Sequence, residues 1–311
     1  MTRWHPSDLD QLSGRSVLVT GANSGLGLAA STALVRAGAR VLMAVRDPER
    51  GRAAIDTIPG GPGTAELVEL DLADLTSVHQ AAADVRERTS DRLDALLNNA
   101  GVAMGPHLNT VDGFELQIGT NHLGPAAMTW LLMPALRGAG APDRPSRVVT
   151  TSSLGHRSAA LDVDDLGWEH RRYRPNAAYG ASKLANLLFA AELDRRLRLS
   201  GDPVVSLAAH PGLTDSRLLG NGLRRGSTLA GQVFRPMDRL LTQPVDDGVA
   251  AQLAALAAPV HGGDYLGPTG LGEIHGPPGP ARRSRAAQDP ALAARLWRVT
   301  AHATGIRPDP G

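Results

Sequence analysis

The sequence contains no cysteine, which excludes disulfide bonds, thiolate catalysis and cysteine-ligated metal sites. Aromatic residues account for only 3% of the 311 residues, so a hydrophobic core must be built mainly from Ala, Val and Leu. Apolar residues account for 42% and charged residues for 20%, as in an ordinary globular protein. A chain of this length is sufficient for one large α/β domain or two small ones.

Long hydrophobic runs and blocks of like charge are also absent. The longest nearly apolar run, residues 125–136, is too short to cross a bilayer, and residues 1–16 lack the apolar segment of a signal peptide. We therefore expect a cytoplasmic protein without a membrane span. The formal net charge is +1 and no long basic stretch occurs, so we expect no nucleic-acid partner.

Short apolar runs alternate with helical patterns from residue 16 to residue 208. This alternation predicts an α/β fold, in which a parallel sheet carries helices on both faces and binds ligands at the carboxyl ends of its strands. No repeat or linker divides the chain, so we expect a single domain over residues 1–311. Glycines interspersed among Leu and Arg over 213–242 predict a lid that covers the site. The predicted strands are 16–20, 40–45, 66–70, 93–97, 147–151 and 204–208, with a last short one at 264–266.

A glycine-rich turn follows the first predicted strand and precedes a predicted helix at residues 28–37. Glycines let the backbone approach a pyrophosphate, and the free N–H groups at a helix N-terminus favour its negative charge. The alternative is a tight turn without a ligand, but both flanks favour the phosphate site. The cofactor contacts expected in this turn are Gly21, Asn23, Ser24, Gly25, Leu26 and Gly27.

Arg46 follows the second predicted strand, where an NAD site would carry an acidic residue for the ribose 2′-hydroxyl. A cation there suits the 2′-phosphate of NADP, so we expect NADP(H) in preference to NAD(H). Two alternatives remain: Arg46 as a solvated loop charge, and Asp47 as the ribose ligand. Asp71 and Leu72 follow the third strand, where the carboxylate could bond an adenine amino group, cap the next helix, or do both.

The fourth predicted strand leads into Asn99, Ala100 and Gly101, small or amide residues over which a ligand could pass close to the sheet. Residues 112–136 then have the pattern of one long helix with Asn121 in its middle. Asn is unfavourable inside a helix because its side chain competes for backbone hydrogen bonds. Asn121 is therefore a candidate for a special role, unless it is merely exposed.

Tyr179 and Lys183 lie four residues apart in a predicted helix that begins at an Asn176 N-cap and ends before Gly201. This spacing places both side chains on one face of the helix. A nearby ammonium group favours phenolate, so we expect Lys183 to lower the pKa of Tyr179 from about 10 toward neutrality. The pair alone is weak evidence for a proton donor, because most such pairs are surface or half-buried helix residues.

Two segments rich in turns and charge are predicted to lie on the surface. The first is the stretch before the long helix, which contains Trp168, Arg171, Arg172 and Tyr173. The second is the Pro- and Arg-rich stretch 276–285, which we expect to be an extended, solvated linker.

Together, these motifs resemble those of the short-chain dehydrogenase/reductase family, in the same order and over nearly the whole chain. The family's glycine loop corresponds to residues 20–27 and its Asn-Asn-Ala-Gly stretch to residues 98–101. Its Pro-Gly motif, which helps to hold the nicotinamide end of the cofactor, corresponds to Pro211 and Gly212, with Ser216 where many members have Thr. Its catalytic tetrad corresponds to Asn121, Ser153, Tyr179 and Lys183.

The sequence is most similar to the retinol dehydrogenase and protochlorophyllide reductase-like branch of this family. The segments that carry this likeness are 44–51, 120–124, 152–156, 182–189 and the His-Pro-Gly at 210–212, together with the long interval between the tetrad's serine and tyrosine. Protochlorophyllide reductases place cysteines near their sites, so we do not expect that activity here. Retinoid enzymes of the branch usually carry a membrane anchor, which the sequence does not show.

The resemblance implies a Rossmann fold and reversible hydride transfer between NADP(H) and a carbonyl/alcohol pair. Tyr179 would exchange the proton, Ser153 would bond the same oxygen, and Lys183 would also hold the nicotinamide ribose. Asn121 would bend its helix and hold a water that relays protons to Lys183. No metal is needed. His156 and His210 receive no catalytic role, because a lone histidine is more often a packing or hydrogen-bonding residue.

Substrate and assembly are less constrained. The resemblance is compatible with a homodimer or a homotetramer. Apolar residues of the predicted lid suggest a hydrophobic carbonyl or alcohol substrate, although they could equally serve ordinary packing; they are Leu213, Leu218, Leu219, Leu223, Leu229, Val233 and Phe234. Two alternatives to a dehydrogenase are a cofactor-binding sensor or scaffold without turnover, and an epimerase or dehydratase that uses the same site.

Overall fold

The computed structural model describes residues 4–213 and 244–311. At its centre is one eight-stranded sheet. The strand order is β3-β2-β1-β4-β5-β6-β7-β8, and each pair is parallel except β7 with β8. The bounds are β1 (Ser16–Thr20), β2 (Arg40–Val45), β3 (Thr64–Glu69), β4 (Ala95–Asn98), β5 (Ser146–Thr151), β6 (Val204–Ala209), β7 (Tyr265–Pro268) and β8 (Pro278–Pro280). All seven predicted strands are present, with ends within two residues of those predicted.

Helices cover both faces of the sheet, so the predicted single, doubly wound α/β domain is confirmed. The α-helices of the described residues are α1 (Gly25–Arg36), α2 (Pro48–Asp56), α3 (Leu75–Thr89), α4 (Leu116–Ile118), α5 (Gly124–Ala139), α6 (Pro175–Ser200), α7 (Val245–Gly248), α8 (Ala250–Ala257) and α9 (Pro290–Thr304). The strand order reverses between β1 and β4, the position where a doubly wound sheet opens a crevice.

The core consists of a separate hydrophobic layer on each face of the sheet. On one face Val17 and Val19 pack with residues of α1 and α8; on the other, Leu18 packs with α3 and α5. Three of the few aromatic residues are concentrated in the second layer, where Phe189 stacks on Trp297 with ring centroids 5.4 Å apart. Adjacent residues of β1 therefore serve opposite layers, as the alternation of side chains along a strand requires.

The predicted helix over residues 112–136 is in fact interrupted. It consists of α4, a π-helical turn at Gly119–Leu123, and α5. The Gly124 N–H donates to the Gly119 carbonyl, five residues back. Asn121 lies within this turn, fully buried, so the alternative of an exposed Asn121 is wrong. π-helical turns inside helices are frequent at functional sites.

Two predicted caps are at other residues. Helix α6 begins at Pro175 with Arg174 as its N-cap, because proline already has the φ angle of the first helical position. Gly201 ends the helix in a left-handed conformation, φ 67°, as expected. Helix α3 is capped by Asp74, which accepts from the Thr76 and Ser77 N–H groups, so Asp71 does not cap it.

The two segments predicted to lie on the surface, the stretch before α6 and residues 276–285, are fixed by aromatic packing and by strand pairing, respectively. Trp168 is only 8% exposed, with the Arg171 guanidinium 3.9 Å above its ring, and Tyr173 stacks on His107 at 4.6 Å. Aromatic burial therefore fixes the excursion before α6. The stretch 276–285 contains β8, which pairs with β7 at the edge of the sheet, where proline is tolerated.

The predicted lid at 213–242 lies outside the described residues except for Leu213. None of the helices in the ranges 4–213 and 244–311 combines the length and apolar character needed to cross a membrane.

Candidate active site

A cleft of about 540 Å³ lies at the carboxyl ends of the parallel strands. Asn121 lies behind this cleft, and Ser216 is outside the described residues. Every other residue predicted for catalysis or cofactor binding lines it: Gly21, Asn23, Ser24, Gly25, Leu26, Gly27, Arg46, Asp71, Leu72, Asn99, Ala100, Gly101, Ser153, Tyr179, Lys183, Pro211 and Gly212.

The glycine turn forms a close-packed cradle at the start of α1. Gly21 has φ 66°, and a Cβ built on Gly27 would lie 2.3 Å from the Gly21 carbonyl oxygen and 2.6 Å from Asn99 Nδ2. Only glycine fits at Gly27. Helix α1 begins at Gly25, three residues before the predicted start, so Gly25 and Gly27 belong to its first turn. The first N–H groups of a helix have no partner within it, and Gly25, Leu26 and Gly27 line the cleft, so the turn fits a pyrophosphate.

Two buried side chains hold this cradle against the sheet. Thr20 Oγ1 accepts the N–H groups of Asn99 and Ala100, both at 3.0 Å, and Asn99 Nδ2 donates to the Thr20 carbonyl at 2.9 Å. Gln252, fully buried on α8, donates to Asn99 Oδ1 at 3.1 Å and to Thr151 Oγ1 at 2.8 Å. Gln252 is not among the residues predicted from the sequence, although a lone polar residue in the alanine-rich helix α8 was a usable signal.

Arg46 is exposed at the rim of the cleft, directly after β2. Its side chain makes no ion pair or hydrogen bond with any other residue that the structure describes. Asp47, the alternative ribose ligand, caps α2 instead: its Oδ1 accepts from the N–H groups of Glu49 and Arg50, both at 3.1 Å. The arrangement leaves Arg46 available for a phosphate and engages Asp47 elsewhere.

Asp71 lies beyond the end of β3 on the same side of the cleft as Arg46. Its Oδ1 accepts from the Ala73 N–H at 2.9 Å, which fixes the direction of the carboxylate. Because Asp74 caps α3, Asp71 is left with the adenine-binding role that was predicted for it. That role stays a prediction.

Ser153 and Tyr179 lie close together at the opposite end of the cleft. Ser153 follows β5, and Tyr179 is in the second turn of α6. A Cβ on Gly155 would lie 3.6 Å from Tyr179 Cε1 and 3.7 Å from Ser153 Oγ, so the two side chains flank the same point. The neighbouring Ser152 is 2% exposed and donates to the Lys183 carbonyl at 2.9 Å. This arrangement favours Ser153 over Ser152 as the serine of the site.

Lys183 lies one turn after Tyr179, with its side chain 3% exposed. Nζ donates to the Thr151 carbonyl at 3.3 Å. A Cβ on Gly101 would lie 3.4 Å from Lys183 Nζ and 3.0 Å from Asn121 Oδ1, so both side chains converge beside Gly101. Burial lowers the pKa of Lys183 to about 8.

Asn121 uses its side chain to hold the backbone next to Gly101. Its Oδ1 accepts from the Val102 N–H at 2.7 Å, and its Nδ2 donates to the Val102 carbonyl and to Ser182 Oγ, both at 2.9 Å. Both amide protons are thus used within the protein. The proposed water between Asn121 and Lys183 stays a prediction.

The predicted lowering of the Tyr179 pKa is wrong in direction. Burial raises the pKa of the Tyr179 phenol above its ordinary value of 10, and the hydroxyl of Ser153 opposes this only in part. Lys183 Nζ lies 5.8 Å from the Tyr179 ring centroid, and burial also disfavours its own charge. In this structure burial therefore outweighs the electrostatic effect that the spacing of the pair predicted.

The described part of the chain contains no group of three or more His, Asp or Glu side chains that could hold a metal ion. The cleft has the glycine cradle and the exposed Arg46 at one end, and Tyr179, Ser153 and Lys183 at the other.

The chain as a whole is similar to members of a known family. A family model described as short chain dehydrogenase matches residues 15–224. Human retinol dehydrogenase 13 is 38% identical over 296 residues, which cover 94% of this chain and 85% of that protein. Mouse polyprenol dehydrogenase is 39% identical over 311 residues, which cover 97% of this chain and 87% of that protein.

A solved structure adds a complex with a cofactor. The Pseudomonas aeruginosa RhlG/NADP active-site complex aligns with a TM-score of 0.63 and 25% identity, covering 84% of this chain and 96% of the other. That structure has the same fold and holds NADP at its active site.

Proposed function

We propose that this chain interconverts an apolar alcohol and its carbonyl compound with NADP(H). It belongs to the short chain dehydrogenase family and is an oxidoreductase that acts on CH–OH groups. Tyr179 is the proton-exchanging residue. The observation that carries this proposal is the meeting of Ser153 and Tyr179 beside Lys183, in the cleft whose other end is the glycine cradle.

Each of these side chains has a separate task. The Tyr179 hydroxyl donates its proton to the substrate oxygen, and Ser153 Oγ donates a hydrogen bond to the same oxygen, which stabilises the charge that develops there. Because burial raises its pKa, Tyr179 is protonated at neutral pH, which suits the reduction of a carbonyl group. Lys183 holds the ribose next to the reacting ring, and when bound, the nicotinamide supplies or accepts the hydride.

The preference for NADP(H) rests on Arg46. The Arg46 guanidinium, which pairs with no other described residue, can bond a 2′-phosphate with two parallel N–H donors. Asp47, in contrast, is engaged as the N-cap of α2. The NADP complex of RhlG supports NADP binding by this fold. The cradle and Arg46 together would hold the phosphates, and Asp71 would bond the adenine.

The substrate class rests on the two relatives. Both are named for alcohols with long apolar isoprenoid chains, retinol in one case and polyprenol in the other. We propose an apolar alcohol or aldehyde of this kind for this chain. Comparing retinal and a long-chain polyprenal with a short, water-soluble aldehyde of equal reactivity tests this part of the proposal.

The central test is Tyr179→Phe, which removes the hydroxyl and keeps the ring. We expect kcat to fall by roughly 10²–10⁴-fold, because the proton donor is lost. The dissociation constant for NADPH should stay within about threefold. Tyr173→Phe is the matched control: its hydroxyl bonds Gln117 Nε2 at 2.7 Å, outside the cleft, and its removal should leave turnover unchanged. Near-normal turnover in Tyr179→Phe would contradict the proposal.

A further inference from the structure

Glu273 adopts a backbone conformation that non-glycine residues rarely show. It lies in the loop between β7 and β8, with φ 61°, directly after Gly272 at φ 64°. Its side chain is only 12% exposed. A glutamate stays in the left-handed region only when its surroundings fix it there, and such residues concentrate at functional sites. The contacts of Glu273 should therefore show what this loop does.

The Glu273 carboxylate joins three separate segments. Its Oε2 lies 3.2 Å from His210 Nε2 at the end of β6 and also forms an ion pair with Arg157. Its Oε1 accepts from the Arg282 N–H, after β8, at 3.2 Å. One charged group thus connects the end of β6, the turn after β5 and the edge of the sheet.

His210 is fully buried, and its contacts define which ring nitrogen carries the proton. Nδ1 lies 3.1 Å from the Gly212 N–H and can only accept from it, so Nδ1 carries no proton. In the neutral ring the proton is then on Nε2, which donates to Glu273. Glu273 therefore stabilises the one tautomer that can hold the Gly212 backbone.

Gly212 is also held from the other side by the loop that carries Glu273. It has φ 71°, and a Cβ on it would lie 2.2 Å from the Ile274 carbonyl oxygen. The next residue, Leu213, donates its N–H to the same carbonyl at 2.9 Å. The turn at Gly212 is thus fixed between His210 and residues 273–274.

Arg157 links this arrangement to the serine of the site. It lies in the short helix Leu154–Ser158, directly after Ser153, and donates to the Gly272 carbonyl at 3.3 Å in addition to its ion pair with Glu273. His156 in the same helix bonds the Ser153 carbonyl through Nδ1 at 2.6 Å. The loop that carries Glu273 therefore contacts both walls at this end of the cleft.

The position of Gly212 shows which part of a dinucleotide it faces. Arg46 and the glycine cradle follow β2 and β1, whereas Gly212 follows β6, four strand spacings or roughly 19 Å from β2. With the phosphates at the cradle and the 2′-phosphate at Arg46, the nicotinamide ring lies at the end that Gly212 shares with Tyr179.

We propose that His210 is a positioning residue for the nicotinamide end of the cofactor, and that Glu273 holds His210 in the tautomer whose Nδ1 accepts from Gly212. The inference rests on the proposed function, because it assumes a nicotinamide cofactor in this cleft. Neither residue touches the reacting atoms. Both act through the backbone at Gly212, which lines the cleft.

Two substitutions separate the two contacts of His210. In His210→Asn the amide oxygen takes the place of Nδ1, so the acceptor for the Gly212 N–H is kept. In His210→Gln the amide lies near the position of Nε2, so only the contact to Glu273 is kept. Glu273→Met removes the carboxylate but leaves His210 in place. Asp84→Asn is the control, because it removes an exposed carboxylate that pairs with Arg88 on α3.

The measurement is calorimetric binding of two ligands, NADPH and 2′-phospho-ADP-ribose, which is NADP without its nicotinamide ring. We expect His210→Gln and Glu273→Met to weaken NADPH binding about tenfold or more, with the dissociation constant of the shorter ligand within twofold of wild type. His210→Asn and Asp84→Asn should stay within about threefold for both ligands. This pattern supports the positioning role.

Other outcomes overturn it. Equal weakening of both ligands means a general structural effect, and unchanged NADPH binding in His210→Gln means that the contact to Gly212 has no role. If His210→Gln does not fold, Glu273→Met provides the same comparison of ligands. Turnover is measured separately: the expected binding pattern without any carbonyl reduction supports the positioning role and contradicts the proposed chemistry.

Discussion

Lys183 is the only lysine in the chain, so any measurement on lysine side chains reports on the active site alone. Burial lowers its pKa from 10.5 to about 8. Each pKa unit corresponds to about 1.4 kcal/mol, so keeping the ammonium group charged inside the folded protein costs about 3 kcal/mol of folding free energy.

The sign of the pH dependence follows from the two states. In the unfolded chain Lys183 titrates near pH 10.4. Between pH 8 and about pH 10 the unfolded chain therefore binds a proton that the folded protein lacks, and the contribution of Lys183 to stability rises with pH across this window. Below pH 8 both states are protonated and the full penalty is present.

Lys183→Met removes the charge and keeps an unbranched side chain of similar length. The substitution also removes the hydrogen bond from Nζ to the Thr151 carbonyl, which contributes about 2 kcal/mol because its donor is charged. We therefore expect a net gain of about 1 kcal/mol at pH 7, or roughly 2 °C in Tm. The gain should shrink as the pH rises toward 10, and turnover should be lost.

Two measurements test this reasoning. In protein labelled with ¹³C at lysine Cε, a single lysine signal should titrate with a midpoint near pH 8. Thermal unfolding of wild type and Lys183→Met from pH 7 to pH 10 gives the stability curve, with Arg298→Met as the control, because Arg298 is exposed on α9. A midpoint at pH 10 or above, or a Lys183→Met variant that melts below wild type at pH 7, refutes the argument.

Two further predictions concern the cofactor end of the cleft. Arg46→Ala should weaken NADPH binding by roughly 10–100-fold and leave NADH binding unchanged, as measured by titration of both cofactors; equal loss for both would indicate a structural effect. Gly27→Ala should abolish cofactor binding and lower Tm, because its Cβ would lie 2.3 Å from the Gly21 carbonyl oxygen. The control is Gly60→Ala, whose Cβ would have no atom within 4 Å, so its effect on stability should be neutral or slightly favourable. Normal cofactor binding by Gly27→Ala would contradict the role of the glycine cradle.

The parts of the fold that the sequence predicted correctly depend on local pattern. Apolar runs that alternate with helical segments predict the strands of the sheet. The turn at Gly21 and the close packing at Gly27 need glycine, so these glycines mark the turn in the sequence. The spacing of Tyr179 and Lys183 put them on one helical face, where the structure has them. Each of these features is decided by residues that are close together in the sequence.

The failed predictions depend on contacts between distant residues. The pKa of Tyr179 is raised because its surroundings in the fold are dry, and a four-residue spacing contains no information about burial. The π-helical turn at Asn121 accompanies hydrogen bonds to Val102, nineteen residues away. The segment that contains the buried Trp168 is held by His107, which lies 3.1 Å from the carbonyl of Gly167, sixty residues away in sequence.

The motifs of the site and the residues that hold them come from different parts of the chain. The family model ends at residue 224, and every predicted catalytic or cofactor residue precedes that point. Yet Gln252 positions Asn99 and Thr151, and Glu273 positions His210, from beyond it.

Lys183 shows why this division matters. Its Nζ donates to the carbonyl of Thr151, and the hydroxyl of Thr151 accepts from Gln252 on α8. The hydrogen bonds around the buried ammonium group therefore include a residue that reaches this position only because α8 packs on the sheet. A lysine with a pKa near 8 requires dry surroundings, and part of those surroundings is supplied by the last third of the chain. The catalytic motif can therefore be read from residues 179–183, but its chemistry depends on the whole fold.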